Sequence, residues 1–422
     1  MKEAKRKRPV PEGATMAVKS YDAIVIGAGP AGAAASRRLI QGGMKTLLIE
    51  KYKLPRRKMC SGMLSRWTVD FVHRNFGPIP ETVYTETPFL KGFGFNFPSL
   101  SETVLAPTKN PIPYVRRDQF DFFLARKSGA EIKDGVRLTG VEPEKDGFKI
   151  LCERSHKDGK TTGVTFHARY AVAADGMNSR AVRCVMPEAQ RGMPVTTGIQ
   201  KFYRAEIDLD PNYFHLLFHP GVGFFPWVNM KGERVVVGVS GLEHRKAIRY
   251  FDNLVSLLKE RFGFKIKELL REEAMAGYMM AYLNHFVLGR GNFLVAGDAA
   301  GFIHGAEGIS AALVSGDLAA QAILQANETG SEALGLYRRC VGPEVNRCLD
   351  QLNPLRMSKN APMVIDGKAF KDKLTLKTIL LMYKDLKAFV AQDIGLKESG
   401  MGKVLKQNMI HHLLHRRYPI EL

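Results

Sequence analysis

Three separated places in this chain combine glycine with a carboxylate at spacings that can do chemistry. Gly27, Gly29 and Gly32 form a GxGxxG pattern after the apolar run Asp22 to Ile26, and Pro30 stands inside it. The first glycine permits a tight turn, the second lets backbone approach a pyrophosphate, and the third lets a helix pack close to a strand. A small-residue helix is expected over Ala31 to Gln41, with its first N–H groups free to hold phosphate. Glu50 closes the next apolar run, Lys45 to Ile49, where a carboxylate can accept hydrogen bonds from an adenosine ribose. The second place is Asp175-Gly176, at the end of an apolar strand and just before Ser179 and Arg180. The third is Gly297-Asp298, at the end of a strand over Phe293 to Ala296 and ahead of a long helix expected from Ile309 to Leu324. A helix N-terminus there, with Gly301, Gly305 and Gly308 before it, can stabilise negative charge.

Two further residues sit where reactive groups are useful. Lys51, Lys53, Arg56, Arg57 and Lys58 crowd one loop and can neutralise a pyrophosphate, and Cys60-Ser61-Gly62 follows directly. Gly62 permits close backbone approach to a flat ring. Cys60 is a candidate proton donor or redox thiol, or a small residue packed beneath a cofactor. Arg117 opens a helix and either pairs with phosphate or ribityl oxygens or is a surface cation.

Elements of both kinds must position these groups. Residues 82–115 read as short strands, and residues 131–172 as a β-meander punctuated by DG turns. Residues 193–290 return to strands, with one amphipathic helix over Tyr250 to Phe262. Phe214, Phe218, Phe224, Phe225 and Trp227 give that region an aromatic character, and Phe224, Phe225 and Trp227 are candidates for an apolar substrate wall. From about residue 331 the chain reads as helical. Leu376, Ile379, Leu380, Tyr383, Leu386 and Val390 form one stripe, with Lys373, Lys377, Lys384 and Lys387 elsewhere on the wheel. That stripe fits a helix packed on the body of the protein or one lying on an anionic membrane.

The chain has 422 residues, 45% of them hydrophobic, and a formal net charge of +20. Such a charge suits an anionic partner. No zinc-finger or RNA-recognition pattern is present, so a membrane surface or a phosphorylated substrate is preferred to nucleic acid. No uninterrupted apolar run approaches the roughly 18 residues of a membrane span. Residues 1–20 are basic without an apolar core and are expected to be a disordered leader rather than a secretory signal. The five cysteines are widely spread and lack metal or cluster spacing, as expected of reduced thiols in a cytoplasmic protein with no metal site.

The stretches GAGPAGAAAS with Glu50, AADGMNSRAVR and FLVAGDAAGFIHGAEGISAA, with the Arg-x-x-Phe-Asp helix at Arg117, resemble FAD-dependent oxidoreductases built like p-hydroxybenzoate hydroxylase. RRKMCSGMLS, YVRRDQFDFFLA and GVGFFPWV make the chain most similar to the geranylgeranyl reductase family. The resemblance implies an α/β fold: a Rossmann-type FAD-binding domain with a parallel sheet and β-meander (21–81, 116–190 and 291–330), an inserted β-sheet-rich substrate domain (82–115 and 191–290) and a helical C-terminal region (331–422).

It implies an enzyme that saturates carbon–carbon double bonds of isoprenoid chains, with FAD carrying the hydride and an external donor such as NAD(P)H or ferredoxin. Gly27, Gly29, Gly32 and Glu50 would hold the ADP half. Arg117, Asp175 and Asp298 would serve the rest of the FAD chain. Cys60 would sit at the isoalloxazine, and Gly308 would face its pyrimidine edge. Pro30, Ala31, Lys51, Gly176, Gly297 and Ile309 are counted with them. The chain departs from the family at Phe302 to Ala306, which is shorter than usual and lacks proline. His304 in that loop is a candidate proton source or a surface turn residue. A flavin monooxygenase of an apolar or aromatic substrate and a flavin electron carrier to a quinone or protein partner are the rival readings. Peripheral attachment to an anionic membrane is compatible with all of them.

Overall fold

The structure is a computed structural model that describes residues 19–156, 158–193, 195–241, 244–278, 285–302 and 308–352, with backbone alone at 224–225, 241, 244–245 and 350–352. In chain order the elements are β1 (Lys19–Ile26), α1 (Pro30–Gln41), β2 (Thr46–Glu50), α2 (Arg66–Phe76), β3 (Tyr84–Asn96), β4 (Val104–Val115), α3 (Arg117–Lys127), β5 (Glu131–Asp134), β6 (Val136–Glu144), β7 (Gly147–Ser155), β8 (Thr161–Ala173) and α4 (Arg180–Val185). They continue with β9 (Val195–Glu206), β10 (Tyr213–Leu217), β11 (Phe224–Lys231), β12 (Arg234–Gly241), α5 (His244–Phe262), β13 (Lys265–Tyr278), β14 (Gly289–Arg290), β15 (Phe293–Val295), α6 (Gly308–Thr329) and α7 (Ala333–Leu352).

The first sheet runs β14-β15-β8-β1-β2-β5, with the β6–β7 hairpin joined to it through β8. β15, β8, β1, β2 and β5 are mutually parallel. Such strands are covered on both faces, which is why β1 and β2 carry unbroken apolar runs, Ala23–Ile26 and Leu47–Ile49. Ala23, Ile24, Val25, Leu47 and Leu48 have no exposed surface. α1 is built of small residues because it is pressed between this sheet and α6. A Cβ placed on Gly316 would sit 2.1 Å from the Ala31 carbonyl oxygen, so the two helices touch backbone to backbone.

The second sheet runs β13-β9-β12-β11-β10-β3-β4. It is antiparallel except where β3 and β10 run side by side. Alternation sends Ile199, Tyr203, Val228, Met230, Val235, Val237 and Val239 onto α5, where they bury Phe251, Leu254 and Leu258. Gln200, Phe202, Trp227, Asn229 and Lys231 are therefore on the opposite face, toward the first sheet. Three glycine contacts show the approach: Gly198 meets Met59, Gly62 meets Lys231 and Gly277 meets Met177.

Several boundaries differ from expectation. β1 begins at Lys19, inside the stretch expected as leader, because Lys19 and Ser20 pair with Phe166 and His167. α5 starts at His244 rather than Tyr250, and α6 runs to Thr329 rather than Leu324. β14 lies in the first sheet although residues up to 290 were assigned to the substrate domain. α7 packs on the first sheet: Ala333, Leu336, Tyr337 and Val341 are buried in its core, and the Tyr337 hydroxyl donates to the Val295 carbonyl at 3.1 Å. By length and composition α6 could cross a membrane, but 72% of its apolar window is buried, as in a core helix. His304 and the lysine-flanked stripe at 376–390 lie outside the described residues.

Candidate active site

All three glycine–carboxylate places meet at the C-terminal edge of the first sheet, where such folds bind ligands. Gly27 has φ +105, and a Cβ there would lie 2.4 Å from the Ala174 carbonyl oxygen, which joins the first place to the second. A Cβ on Gly32 would lie 1.9 Å from the Gly27 carbonyl oxygen. One on Gly297 would lie 2.9 Å from the Ala31 methyl, which joins the first place to the third. Gly29 is different: its nearest neighbour would be Arg56 Nη2 at 3.5 Å, so space is kept ahead of α1. α1 begins with Pro30 and has neither a side-chain cap nor an acidic residue in its first turn. That end is shaped for a phosphate.

Glu50 is 4% exposed. Its Oε2 accepts from the Ala28 amide at 3.0 Å and from Arg56 Nε at 3.1 Å, and its Oε1 accepts from the Tyr52 amide at 3.1 Å. Oε1 keeps an acceptor position for a ribose hydroxyl. Lys51 is exposed, with its ammonium 4.9 Å from the centre of the Tyr52 ring.

The other two carboxylates are engaged differently. Asp175 caps α4: its Oδ1 accepts from the Ser179 hydroxyl and its Oδ2 from the amides of Arg180 and Ala181, at 2.7 and 3.1 Å. Burial raises its pKa against the pull of those donors. Asp175 thus shapes the turn, and it is Gly176, with φ +85 and nothing within 4 Å of an added Cβ, that leaves room. Asp298 lies in the tight turn Gly297–Ala300, half-buried, 3.8 Å from Lys58 Nζ. Gly297 donates its amide to Ser315 Oγ of α6 at 2.9 Å. Gly308 opens α6 with open space beside it, whereas Ile309 is buried with Leu64, Phe120 and Leu313.

The Cys60 loop is pinned to the last residues of β4. Met63 bridges Tyr114, the Val115 amide donates to the Gly62 carbonyl at 2.8 Å, and the Leu64 amide donates to the Pro113 carbonyl at 2.9 Å. Gly62, at φ +88, would set a Cβ 2.2 Å from the Val115 carbonyl oxygen, so only glycine fits. This pinning brings Cys60 to Arg117, the first residue of α3. Arg117 is buried and makes two bonds to Asp121, at 3.0 and 3.2 Å, one helical turn on. Arg56 Nη1 reaches the same carboxylate at 3.1 Å. Glu50, Arg56, Asp121 and Arg117 therefore form an alternating chain of charges from the ribose side to the thiol. Burial works against the Cys60 thiolate, but Arg117, the Gly62 amide and Lys231 outweigh it and lower its pKa.

Lys231, Tyr114, Asn229, Asp121 and the role of Arg56 were missed in the sequence. Asp121 had a signal, four residues after Arg117 on one helix face. Lys231 had none, because its burial comes from the second sheet closing on the Cys60 loop. It is 7% exposed, its Nζ is 4.8 Å from the centre of the Tyr114 ring, and desolvation lowers its pKa to about 8. The Tyr114 hydroxyl donates to Asn229 Oδ1.

Trp227 shares this face. Its Nε1 donates to Gln200 Oε1 at 3.3 Å, and Gln200 Nε2 donates to Glu273 Oε2 at 3.2 Å. Gly238 leaves the space the indole fills, since a Cβ there would lie 2.1 Å from the ring. Phe224 and Phe225 are in β11, but their side chains lie outside the described residues. Phe214 packs on Phe93 and Phe218 on Phe97, so both belong to apolar clusters.

Comparisons with known proteins agree with this geometry. The FAD binding domain family model matches residues 20–311. The digeranylgeranylglycerophospholipid reductase of Methanococcus vannielii is 27% identical over 329 residues, covering 73% of this chain and 79% of the relative. The chloroplastic geranylgeranyl diphosphate reductase of Arabidopsis thaliana is 27% identical over 336 residues, covering 74% and 67%. A geranylgeranyl bacteriochlorophyll reductase-like protein of Thermoplasma acidophilum superposes with a TM-score of 0.69 at 20% identity, covering 94% of this chain and 97% of that one, which shows the shared fold. The resemblance read from the motifs is borne out, and the turns described above fit FAD. The chain belongs to the FAD binding domain family and is an FAD-dependent oxidoreductase.

Proposed function

We propose that this protein saturates carbon–carbon double bonds of geranylgeranyl-type isoprenoid chains. The observation that carries the reading is the approach of the second sheet to the loop that carries Cys60, where Gly62 meets Lys231 and Gly198 meets Met59, on the sheet face that also carries Trp227. The names of the two reductase relatives support it. FAD, when bound, supplies the hydride equivalent. The chain's own residues do the rest. Gly27, Gly29, Gly32 and Glu50 anchor the ADP half, while Gly176, Asp298 and Gly308 leave room for the remainder. Trp227 gives the isoprenoid an apolar surface, and the pinned loop holds Cys60 on the cofactor side. Closure of the sheet over the loop excludes water. The net charge of +20 suits a substrate with an anionic head or peripheral attachment to an anionic membrane at the cytoplasmic side.

The test is anaerobic reduction of the holoenzyme with dithionite in the presence of geranylgeranyl lipids, followed by mass spectrometry. Gain of hydrogen pairs on the isoprenoid chain is expected. Unchanged lipid with fully reduced flavin would sink the reading. Oxygen-dependent hydroxylation would replace it with a monooxygenase, and electron delivery to a quinone without substrate turnover with a carrier.

A further inference from the structure

Two aromatic rings stand exposed at one corner of the molecule, and a single apolar cluster backs both. Trp67, in the first turn of α2, is 36% exposed, and Phe89 of β3 is 48% exposed. The backbone brings their segments together. Phe89 lies opposite Pro113 of β4, and the Pro113 carbonyl accepts from the Leu64 amide, one residue before the Ser65 cap of α2. Trp67 stacks on Phe71 with ring centres 5.1 Å apart, and Phe89 packs on Tyr84 at 5.8 Å. Phe71 and Tyr84 belong to one cluster, which also holds Leu64, Ile309 and Leu313 and packs against Cys60. The two rings are thus the outer end of an apolar body whose inner end lies at the cofactor loops.

Single apolar residues are ordinary on a surface, but a tryptophan and a phenylalanine at one corner, ringed by cations, mark a contact. Arg66 and Arg74 of α2, with Lys91 and Lys109 of the β3–β4 pair, are exposed there, against Asp70 and Glu81. Glu86 is held by Arg234 at 2.7 Å. Aromatic rings settle at the boundary between headgroups and acyl chains, and lysine and arginine beside them meet lipid phosphates. The net charge of +20 acts in the same direction.

We propose that the corner formed by the start of α2 and the β3–β4 pair docks this protein on an anionic lipid bilayer, with Trp67 and Phe89 inserted among the lipids. The proposal rests on the reductase reading for its purpose. Docking here sets the apolar cluster that reaches Cys60 against the medium in which an isoprenoid lipid dissolves.

The test is co-sedimentation of the flavin-loaded protein with phosphatidylcholine vesicles, with and without phosphatidylglycerol, at low and high salt. Binding is expected with phosphatidylglycerol and should weaken several-fold at high salt. Trp67→Ser and Phe89→Ser should each weaken it by about tenfold. Arg74→Gln with Lys91→Gln in one chain should do the same at low salt. Leu269→Ser is the control. It removes a 50%-exposed side chain from β13, at the opposite edge of the second sheet, and should bind as wild type does. Insertion is read from tryptophan emission. The chain has two tryptophans, so quenching by acyl-brominated lipid that disappears in Trp67→Phe places Trp67 in the bilayer. A wild type that ignores phosphatidylglycerol vesicles overturns the proposal. So do full binding by both serine variants, loss of binding in Leu269→Ser, or quenching that survives Trp67→Phe. Binding to an acidic protein in place of vesicles would reassign the corner to a protein partner and overturn it as well. If vesicles are bound as expected but no isoprenoid is reduced, the docking surface stands and the reductase reading falls. If isoprenoid in detergent is reduced while vesicles are ignored, the reading stands and the surface falls.

Discussion

Arg56 Nη1 lies 3.1 Å from Asp121 Oδ2 while the same guanidinium holds Glu50 at 3.1 Å, so one side chain couples the ribose-side carboxylate to the helix that opens with Arg117. All these groups are buried or nearly so. Arg56→Met leaves two buried carboxylates short of a partner. A loss of about 3–5 kcal/mol is expected in urea unfolding, together with loss of bound flavin on gel filtration. Retention of full flavin content at wild-type stability would show that the chain of charges does not support the cofactor.

Gly316 tests the helix contact behind the phosphate turn. Gly316→Ala forces the α6 backbone away from the Ala31 carbonyl, which has no flexible side chain to yield. The change should cost about 1–3 kcal/mol and weaken flavin binding by about tenfold. Fluorescence of released FAD during dilution measures both the rate and the extent. An unaltered dissociation constant would mean that α1 can shift without disturbing the phosphate site.

Gly238→Ala probes the proposed substrate face without touching the flavin turns. The added methyl competes with the Trp227 indole, so KM for the isoprenoid should rise several-fold while flavin content stays constant. Trp227→Leu in the same chain should relieve the clash and recover the Tm lost by Gly238→Ala, while KM stays high because the indole is itself the proposed substrate surface. If the double variant is no better than Gly238→Ala alone, the clash is not with Trp227.

A pH effect follows from Asp134, which anchors the basic loop. Its carboxylate accepts from the Leu54 amide at 2.9 Å and pairs with Lys53 at 2.8 Å. Burial raises its pKa, but these two contacts outweigh burial and leave it below the usual aspartate range. A depressed carboxylate stabilises the fold above its unfolded pKa, and the contribution is lost as pH falls through the folded value. Asp134→Asn should therefore be less stable than wild type by about 1 kcal/mol at pH 7, the pair being partly exposed and screened. The gap in Tm should close below about pH 4. A gap that persists undiminished at pH 3 would assign the effect to packing.

The parts of this protein legible in its sequence were those written in local spacing. GxGxxG, the apolar β1 and β2 runs and Glu50 lie within one short stretch, and the alternation of β7 and β8 shows at a glance. The chemistry of Asp175 was harder, because Ser179 three residues before Val182 is a helix-cap signal that competes with a ligand role. Lys231 was invisible: a lysine before a glycine in a hairpin reads as exposed, and only the closure of β11 on Gly62 buries it. The packing of α7 was not legible either, because a helical stretch does not say which surface it covers. The Tyr337 hydroxyl, bonded to the Val295 and Ser315 carbonyls, ties it to the strand and helix of the third glycine turn.

The side-by-side run of β3 and β10 has a consequence for synthesis. β3 pairs in register with β10 from Gly92 to Asn96, yet α3 and the whole β-meander are made between them. At about 5–20 residues per second, a nascent chain waits on the order of ten seconds with β3 paired on one side only. During that interval its other edge, carrying Phe93 and Phe95, is open to any strand in reach. Yield in the cell should thus depend on translation speed and on chaperone supply more than the stability of the finished molecule suggests.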